Sequence, residues 1–407
     1  MINILWGILG IFVIFVIAFI LSENKKSINP RTILGGLIIQ LIFGFIVLKW
    51  DVGRQAFQWV TSKVQEVVNF ASAGTSFIFG SLADPSQQTG FIFAFNVLTL
   101  IIFFSSLISV LYYLGIMQWV IRIIGGALSK LLGTSKAESM SAAANIFVGQ
   151  TEAPLVVMPY IKNMTKSELF AVMTGGLASV AGSVLFGYAA LGVPLEYLLA
   201  ASFMAAPAGL VMAKMLVPET GKPETLEGFE MAHDDHSVNV IDAAARGAST
   251  GLQLALNVGA MLLAFIALIA LLNGILGGIG GWFGVENLSL ELILGYIFAP
   301  LAFVIGIPWE EALQAGSFIG QKLIVNEFVA YSNFAPEIAN LSDKTVAVIS
   351  FALCGFANLS SIAILLGGLG GLAPSRRQDI ARLGIRAIIA GTLANLLSAA
   401  IAGMFVL

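Results

Sequence analysis

The sequence predicts an all-α polytopic membrane protein: eight transmembrane helices plus two opposed re-entrant helical hairpins in an inverted repeat, with amphipathic helices at the membrane surface. Of its 407 residues, 58% are hydrophobic and 11% are charged. Soluble domains average about 45–50% apolar and about 25% charged residues, so this chain has too little polar surface for a soluble fold. Its apolar runs are continuous rather than alternating, which indicates helices and not the strands of a barrel.

Eight stretches reach the ~20 apolar residues that a membrane-spanning helix needs. They are residues 4–21, 32–49, 90–116, 168–191, 195–216, 250–276, 345–368 and 383–406. The first has no basic region before it and no small-residue cleavage site after it, so we expect a span rather than a signal peptide. With both termini outside, most of the 20 lysines and arginines fall in cytoplasmic segments, as the positive-inside rule requires.

Residues 136–162 form an apolar stretch that is interrupted in its middle by polar residues around Glu152. Each half has about 13 residues and reaches ~20 Å, which is less than the ~30 Å hydrocarbon core. Pro154 suits the start of a following helix, where its missing N–H costs no hydrogen bond. The pattern predicts a hairpin that enters from the cytoplasmic side and turns near the middle of the membrane.

A second hairpin is predicted over residues 308–333, where Asn326 and Glu327 interrupt an otherwise apolar stretch. By the parity of the spans it enters from the outside. Non-helical backbone at this depth is tolerated only where it is buried in protein or lines a wet cavity. Many transporters hold substrates and coupling ions at such half-helix ends.

The helices after the two hairpins are similar in sequence. Gly-Leu-Ala-Ser-Val-Ala-Gly at 176–182 aligns with Gly-Phe-Ala-Asn-Leu-Ser-Ser at 355–361, so Ser179 and Asn358 occupy matching positions. Each half therefore has a hairpin with a buried glutamate and then a helix of small residues. Close helix packing alone also explains the small residues, but it does not explain the polar residues that accompany them.

The buried carboxylates indicate a polar site, because an ionised carboxylate facing lipid costs at least ~2.5–3.5 kcal/mol. The neighbouring amides and hydroxyls suit a ligand rich in hydroxyl and amide-like groups; they belong to Gln150, Thr151, Asn326, Asn358 and Ser361. An anionic substrate is disfavoured, since Lys322 is the nearest basic residue and we expect it to snorkel or to pair with an acid. Asn145 and Ser179 are suited either to a small cation or to ordinary helix bonding.

The remaining polar stretches and the single cysteine are expected to have structural roles. Residues 51–72 and 118–132 are predicted to be amphipathic helices at the membrane surface. The acidic stretch 217–242, with its His233-Asp-Asp-His236 cluster, is expected to be a solvated cytoplasmic loop rather than a metal site. Cys354 is the single cysteine and lies in an apolar run, so it is expected to pack in the core. A net charge of −3 suggests no nucleic-acid partner.

Three motifs resemble those of the concentrative nucleoside transporters: G-Q-T-E-A-P at 149–154, G-x-K-x-x-x-N-E-F-V-A-Y at 320–331 and G-F-A-N-L-S-S at 355–361. The second is long and specific, and the resemblance covers essentially the whole chain, in the shorter bacterial form with eight spans and two hairpins. It implies a secondary active symporter, not an enzyme, that imports nucleosides across the bacterial cytoplasmic (inner) membrane by alternating access, driven by a sodium gradient.

The resemblance also implies partners and site residues. The partners are a uridine-like nucleoside, Na⁺ as coupling ion with no other cofactor, the lipid bilayer and further copies in a homotrimer. Nucleobase contacts would fall on Gly149, Gln150, Thr151, Glu152 and Val184. Ribose contacts would fall on Glu327, Asn358 and Ser361, with Phe356 lining the pocket. Sodium ligands would be the side chains of Asn145 and Ser179 and the carbonyls of Val148 and Val180.

The sequence divides into scaffold and transport parts on this interpretation. The scaffold covers 1–132 and 192–288, the transport part covers 133–191 and 289–372, and a last span covers 373–407. Three alternatives stay open. Proton coupling replaces sodium in some relatives; a membrane-embedded enzyme would use the paired carboxylates in acid–base chemistry; and a channel would line a pore instead of pairing two hairpins.

Overall fold

The computed structural model describes residues 2–84, 86, 91–226, 228–231, 237–282, 284 and 287–406. The regular structure of these residues is helical. The α-helices are α1 Ile2–Ile20, α2 Pro30–Gly44, α3 Asp51–Phe79, α4 Phe93–Asn96, α5 Leu98–Tyr113, α6 Ile116–Leu132, α7 Lys136–Ala144, α8 Lys166–Ala178, α9 Gly182–Ala190, α10 Leu195–Leu216, α11 Val240–Trp282, α12 Leu290–Val304, α13 Trp309–Ile324, α14 Glu327–Phe334, α15 Asp343–Leu353, α16 Ser361–Leu372 and α17 Arg377–Phe405.

Seven helical segments of the described chain are long and apolar enough to cross a membrane, and they match seven of the eight predicted spans. They are Asn3–Ile20, Pro30–Lys49, Phe93–Tyr113, Lys166–Ala190, Leu195–Leu216, Val240–Trp282 and Pro374–Phe405. The predicted all-α membrane architecture is therefore confirmed. The two predicted amphipathic stretches are helical as well, in α3 and α6, and both helices are longer than expected.

The predicted span at 345–368 is not one continuous helix. α15 ends at Leu353 and α16 begins at Ser361, with an unwound segment between them. The span at 168–191 is also interrupted, since α8 ends at Ala178 and α9 begins at Gly182. Hydropathy averaged over a span does not detect such breaks, because most residues in them are small or apolar. Tertiary partners for the freed backbone groups make the breaks stable.

The region of the second hairpin has one helix more than predicted. α12 precedes the hairpin, and the bend between α12 and α13 is 117°. α13 and α14 are separated by Val325 and Asn326, and the Asn326 side chain caps α14 by accepting from the Val329 N–H at 2.8 Å. The break therefore falls next to Glu327, where the sequence placed it.

The stretch predicted as the first hairpin, residues 136–162, contains two short helical segments, each shorter than the predicted half. Its first half is α7, which begins with a capping box between Ser135 and Glu138. Its second half is a 3-10 helix, Ala153–Tyr160, with Pro154 in the first turn as expected. The segment between the halves contains Gly149 and Glu152 and is turn rather than helix.

The unwound segments meet one another through backbone hydrogen bonds. The Gly182 N–H at the α8–α9 break donates to the Phe147 carbonyl of the first hairpin at 3.0 Å. The Leu359 N–H at the α15–α16 break donates to the Leu323 carbonyl of the second hairpin at 3.2 Å. The two breaks are joined directly, because the Phe356 N–H donates to the Ser179 carbonyl at 3.1 Å. The two halves thus repeat one arrangement and share a centre.

Burial separates an inner group of helices from an outer one. Of the residues in the apolar window of Lys166–Ala190, 94% are buried, against 11% for Val240–Trp282. α8 and α9, on either side of the first break, are therefore enclosed by protein, and α15 is enclosed as well, whereas α11 presents its apolar side chains outward. The His233–His236 cluster falls outside the described residues.

Candidate functional site

Glu327 is the first residue of α14, so it stands at the start of a helix in the middle of the second hairpin. Only 6% of the residue is exposed. One carboxylate oxygen, Oε2, accepts from Asn358 Nδ2 at 2.9 Å, and the other, Oε1, accepts from the Tyr188 hydroxyl at 3.2 Å. The helix N-terminus favours a negative charge at this position.

Asn358 is held in one orientation by its own neighbours. Its Oδ1 accepts from the Ser361 N–H at 3.0 Å and from the Ser360 hydroxyl at 2.7 Å. The amide NH₂ must then point to Glu327. The Ser361 hydroxyl donates to the Phe356 carbonyl at 2.5 Å, which closes the unwound segment on itself. The structure thus brings together the four residues predicted for the ribose.

Glu152 lies at the turn of the first hairpin, where its Oε2 accepts from the Gly149 N–H at 3.3 Å. It lines a cavity of about 420 Å³ with Val148 and Ser183, and the far wall comes from α5 and α11. This volume lies within the usual range of small-molecule sites, about 300–1,000 Å³. The cavity wall also contributes hydroxyl and guanidinium groups, from Ser105, Ser109, Tyr112, Arg246 and Thr250.

The other residues predicted for the nucleobase surround this turn. Gln150 is 4% exposed, and its buried Oε1 has no hydrogen-bond partner within the described residues. Thr151 is exposed and packs against α16, where a Cβ added to Gly368 would lie 2.7 Å from the Thr151 Cγ2 atom. Val184 is buried in the first turn of α9. No hydrogen bond joins Glu152 to Glu327 among the described residues, and each carboxylate has its own partners.

The residues predicted for sodium cluster where α7 ends against α8. Asn145 Nδ2 donates to the Ser141 carbonyl at 2.9 Å, whereas its buried Oδ1 has no partner in the part of the chain described. The Ser179 hydroxyl donates to the Gly175 carbonyl at 3.0 Å, which leaves its lone pairs available. Gly175 allows this approach, since a Cβ there would lie 3.3 Å from Asn145 Nδ2.

Two further buried oxygens near this point lack partners within the described residues, the hydroxyls of Ser141 and Thr174. A buried polar atom without a hydrogen bond costs about 1–3 kcal/mol, so a group of them indicates a place for a ligand that supplies hydrogen-bond donors or positive charge. The oxygens are neutral, and the described residues contain no cluster of three or more His, Cys, Asp or Glu suited to a metal. A small monovalent cation therefore fits this donor set.

Tyr188 and Asn395 bond to the candidate site although the sequence did not single them out, and Lys322 bonds differently from the expectation. Tyr188 bonds to Glu327 from α9, and nothing in its local sequence sets it apart. Asn395 is a lone amide within the last apolar span, and a polar residue in such a position needs partners. Lys322 was expected to snorkel or to pair with an acid, and among the described residues it does neither. It is 1% exposed and donates to the Ala352 carbonyl at 2.8 Å and to Asn395 Oδ1 at 2.6 Å.

The fold and the site define a membrane transporter with its polar groups at breaks in buried helices. Family models agree with this class. The description "Na+ dependent nucleoside transporter" matches residues 9–82 with its N-terminal part and 197–403 with its C-terminal part, and "Nucleoside recognition" matches 94–195.

Similar proteins extend over the whole chain. An uncharacterized transporter, YutK, of Bacillus subtilis is 64% identical over 99% of this chain and 100% of its own length. The nucleoside permease NupC of Helicobacter pylori is 53% identical over 99% of this chain and 98% of its own. The human solute carrier family 28 member 3 is 41% identical over 97% of this chain and 59% of its own.

Solved structures of CNTnw resemble this one closely. Its inward-facing substrate-bound state has a TM-score of 0.94 at 58% identity and covers 99% of this chain and 98% of CNTnw. An outward-facing variant has a TM-score of 0.95 at 57% identity, over the same shares. The chain belongs to the concentrative, Na⁺ dependent nucleoside transporter family. It is a nucleoside transporter and not an enzyme, as the sequence motifs predicted.

Proposed function

We propose that the protein imports nucleosides across the bacterial cytoplasmic membrane by symport with Na⁺ and alternating access. The observation that carries this proposal is the junction of the two helix breaks. On one side of it lies a carboxylate held by hydrogen bonds, Glu327 with Asn358. On the other side lie buried oxygens that lack partners in the described chain, above all Asn145 Oδ1.

The second half of the site is suited to the ribose. Glu327 accepts hydrogen bonds, which matches the hydroxyl donors of a sugar, and Asn358 and Ser361 add both donors and acceptors. In the first half, Gln150 and Glu152 offer an amide and a carboxylate to the base edge, and Gly149, Thr151 and Val184 shape the turn around them. Phe356 is half-buried and lines the same region.

The first break is suited to sodium. The side chains of Asn145 and Ser179, with the carbonyls of Val148 and Val180, would hold the ion, which when bound supplies the positive charge that these oxygens lack. Ser179 belongs to both sites, because its hydroxyl lies at the ion site and its carbonyl accepts from Phe356 N–H. A shared element of this kind is what reciprocal coupling between two ligands requires.

Further parts of the proposal rest on the family. We propose a homotrimer in which α11 and its apolar outer surface contribute to the contacts between copies, with both termini outside and with opposed hairpins entering the membrane from its two sides. We also propose that the hairpins and the broken helices move together, as the predicted division into scaffold and transport parts implies.

Uptake of radiolabelled uridine into proteoliposomes tests the proposal. Accumulation is expected under an inward sodium gradient and is expected to stop when choline replaces sodium. If a proton gradient alone drives uptake, the coupling ion is wrong and the proton alternative is right. If neither gradient drives uptake of any nucleoside in a mixed panel, the symporter proposal fails.

The ion site has its own test in Asn145→Ala. Removal of one ligand oxygen is expected to raise the sodium concentration for half-maximal uptake about tenfold, which corresponds to ~1.4 kcal/mol. Asn163→Ala is a matched control, since Asn163 is exposed at the end of the first hairpin. An unchanged sodium dependence in Asn145→Ala contradicts the assignment.

A further inference from the structure

Lys322 is a fully enclosed lysine that has no carboxylate partner among the described residues. Its Nζ donates to two neutral oxygens, the Ala352 carbonyl and Asn395 Oδ1, and it has no salt bridge among the residues the structure describes. A charged residue inside the membrane costs at least ~2.5–3.5 kcal/mol, and such residues generally have a function. The two oxygens that receive the ammonium therefore indicate what it does.

The first oxygen belongs to the end of a helix. Ala352 lies in the last turn of α15, just before the break that leads to Asn358. Carbonyls in the last turn of a helix have no intrahelical donor and carry a partial negative charge. A cation at this position stabilises the end of α15 and so fixes where the unwound segment begins.

The second oxygen belongs to a residue that holds both breaks. Asn395 Nδ2 donates to the Ala178 carbonyl at 2.6 Å and to the Cys354 carbonyl at 2.9 Å. Ala178 ends α8 and Cys354 follows α15, so one amide joins the ends of both broken helices. The fit is tight, because a Cβ added to Gly355 would lie 2.2 Å from Asn395 Oδ1.

At the equivalent place in the first half, no lysine or arginine bonds to the oxygens among the described residues. There the hairpin helix α7 ends at Asn145, whose Oδ1 lacks a partner in the described chain, against the end of α8. In the second half the hairpin helix α13 ends near Lys322, against the end of α15. The same junction thus presents unpartnered oxygens in one half and an ammonium bound by oxygens in the other.

We propose that the Lys322 ammonium is a built-in cation, which occupies in the second half the position that the exchangeable coupling ion takes in the first. It is a positioning residue: its bonds to the Ala352 carbonyl and to Asn395 fix the α15–α16 break that carries Asn358. This inference rests on the proposed sodium-coupled function. It explains why a transporter of neutral substrates keeps a lysine at its centre.

The test measures equilibrium uridine binding to the purified full chain over a range of sodium concentrations. Lys322→Gln keeps a hydrogen-bond donor and removes the charge; Lys322→Arg keeps the charge. Lys344→Gln is the matched control, because Lys344 is also poorly exposed in the second half but bonds to Asn3 near the start of α15. Folding is checked by a single symmetric peak in size exclusion.

Lys322→Gln is expected to weaken uridine binding at least tenfold and to make its sodium dependence steeper, because the two oxygens lose their positive partner and attract a second ion. Lys322→Arg is expected to restore affinity to within about threefold, and Lys344→Gln to match the wild type. Wild-type affinity in Lys322→Gln overturns the proposal. So does a loss that arginine does not restore or that leaves the sodium dependence unchanged, since either result indicates a purely structural lysine.

Two results separate this inference from the proposed function. If wild-type binding ignores sodium, the proposed coupling fails, and the affinity order of Lys322→Gln and Lys322→Arg still decides the inference. If Lys322→Gln does not fold, Asn395→Ala decides it. That variant removes one of the two oxygens that bind the ammonium and is expected to weaken uridine binding several-fold, and an unchanged affinity overturns the built-in cation.

Discussion

Tyr188→Phe tests whether the carboxylate of Glu327 must be held in place for transport. The change removes one hydroxyl and with it the 3.2 Å hydrogen bond to Oε1, whereas the Asn358 bond to Oε2 remains. A hydrogen bond to a charged group contributes about 1.5–3 kcal/mol, and each ~1.4 kcal/mol is a factor of ten. Part of this energy is lost equally with and without substrate, so we expect the binding free energy to weaken by the lower end of this range. That corresponds to an increase of about tenfold in the KM for uridine.

The same pair of rings supplies the control. Tyr331 stacks on Tyr188 with ring centroids 4.3 Å apart, and its hydroxyl donates to the neutral Ser350 carbonyl at 2.7 Å. Tyr331→Phe is expected to lower thermal stability by about 0.5–1.5 kcal/mol and to leave KM within twofold. Initial uptake rates in proteoliposomes measure both variants. An unchanged KM in Tyr188→Phe, or an equal increase in Tyr331→Phe, refutes the reasoning.

Two further predictions concern stability. Gly355→Ala forces its new Cβ against Asn395, and overpacking of this kind costs about 1–3 kcal/mol, so thermal stability in detergent is expected to fall. Gly367→Ala is the control, because a Cβ there has nothing within 4 Å and stability is expected to stay unchanged. Equal losses in both variants contradict the clash. Lys214→Met leaves Glu138 buried without its 2.6 Å salt bridge and is expected to lower the free energy of unfolding by about 3–5 kcal/mol. The second change Glu138→Gln in the same chain is expected to restore most of this loss. A Lys214→Met variant as stable as the wild type contradicts the prediction.

The fold class can be predicted from the sequence because the bilayer requires long apolar runs. Long apolar runs have few alternative structures in lipid, and seven of the predicted spans correspond to helical segments that are long and apolar enough to cross a membrane. The breaks at 179–181 and 354–360 did not follow from the same pattern. Their freed backbone groups are satisfied by distant residues, such as Asn395 at Ala178 and Cys354, and tertiary contacts of that kind are invisible to hydropathy.

The candidate site was partly accessible to sequence reasoning for a similar reason. Glu327 and Asn358 are polar residues inside apolar stretches, and such residues need partners, so their meeting was foreseeable. Tyr188 was not, because a tyrosine in a span is common and only the structure places its hydroxyl at Glu327. Lys322 was misjudged, since a lysine near a hairpin turn was expected to reach the interface, yet its ammonium bonds inward to Asn395.

The most direct test of the central claim is equilibrium binding of radiolabelled uridine to the wild type and to Glu327→Gln in sodium buffer. The glutamine keeps the size of the side chain and removes the charge that Asn358 and Tyr188 hold in place. We predict a loss of affinity of about 100-fold, from two charge-assisted hydrogen bonds to the substrate at ~1.5 kcal/mol each. Glu337→Gln, at an acidic position just after α14, should bind as the wild type does. Equal affinity of Glu327→Gln and wild type would contradict the account.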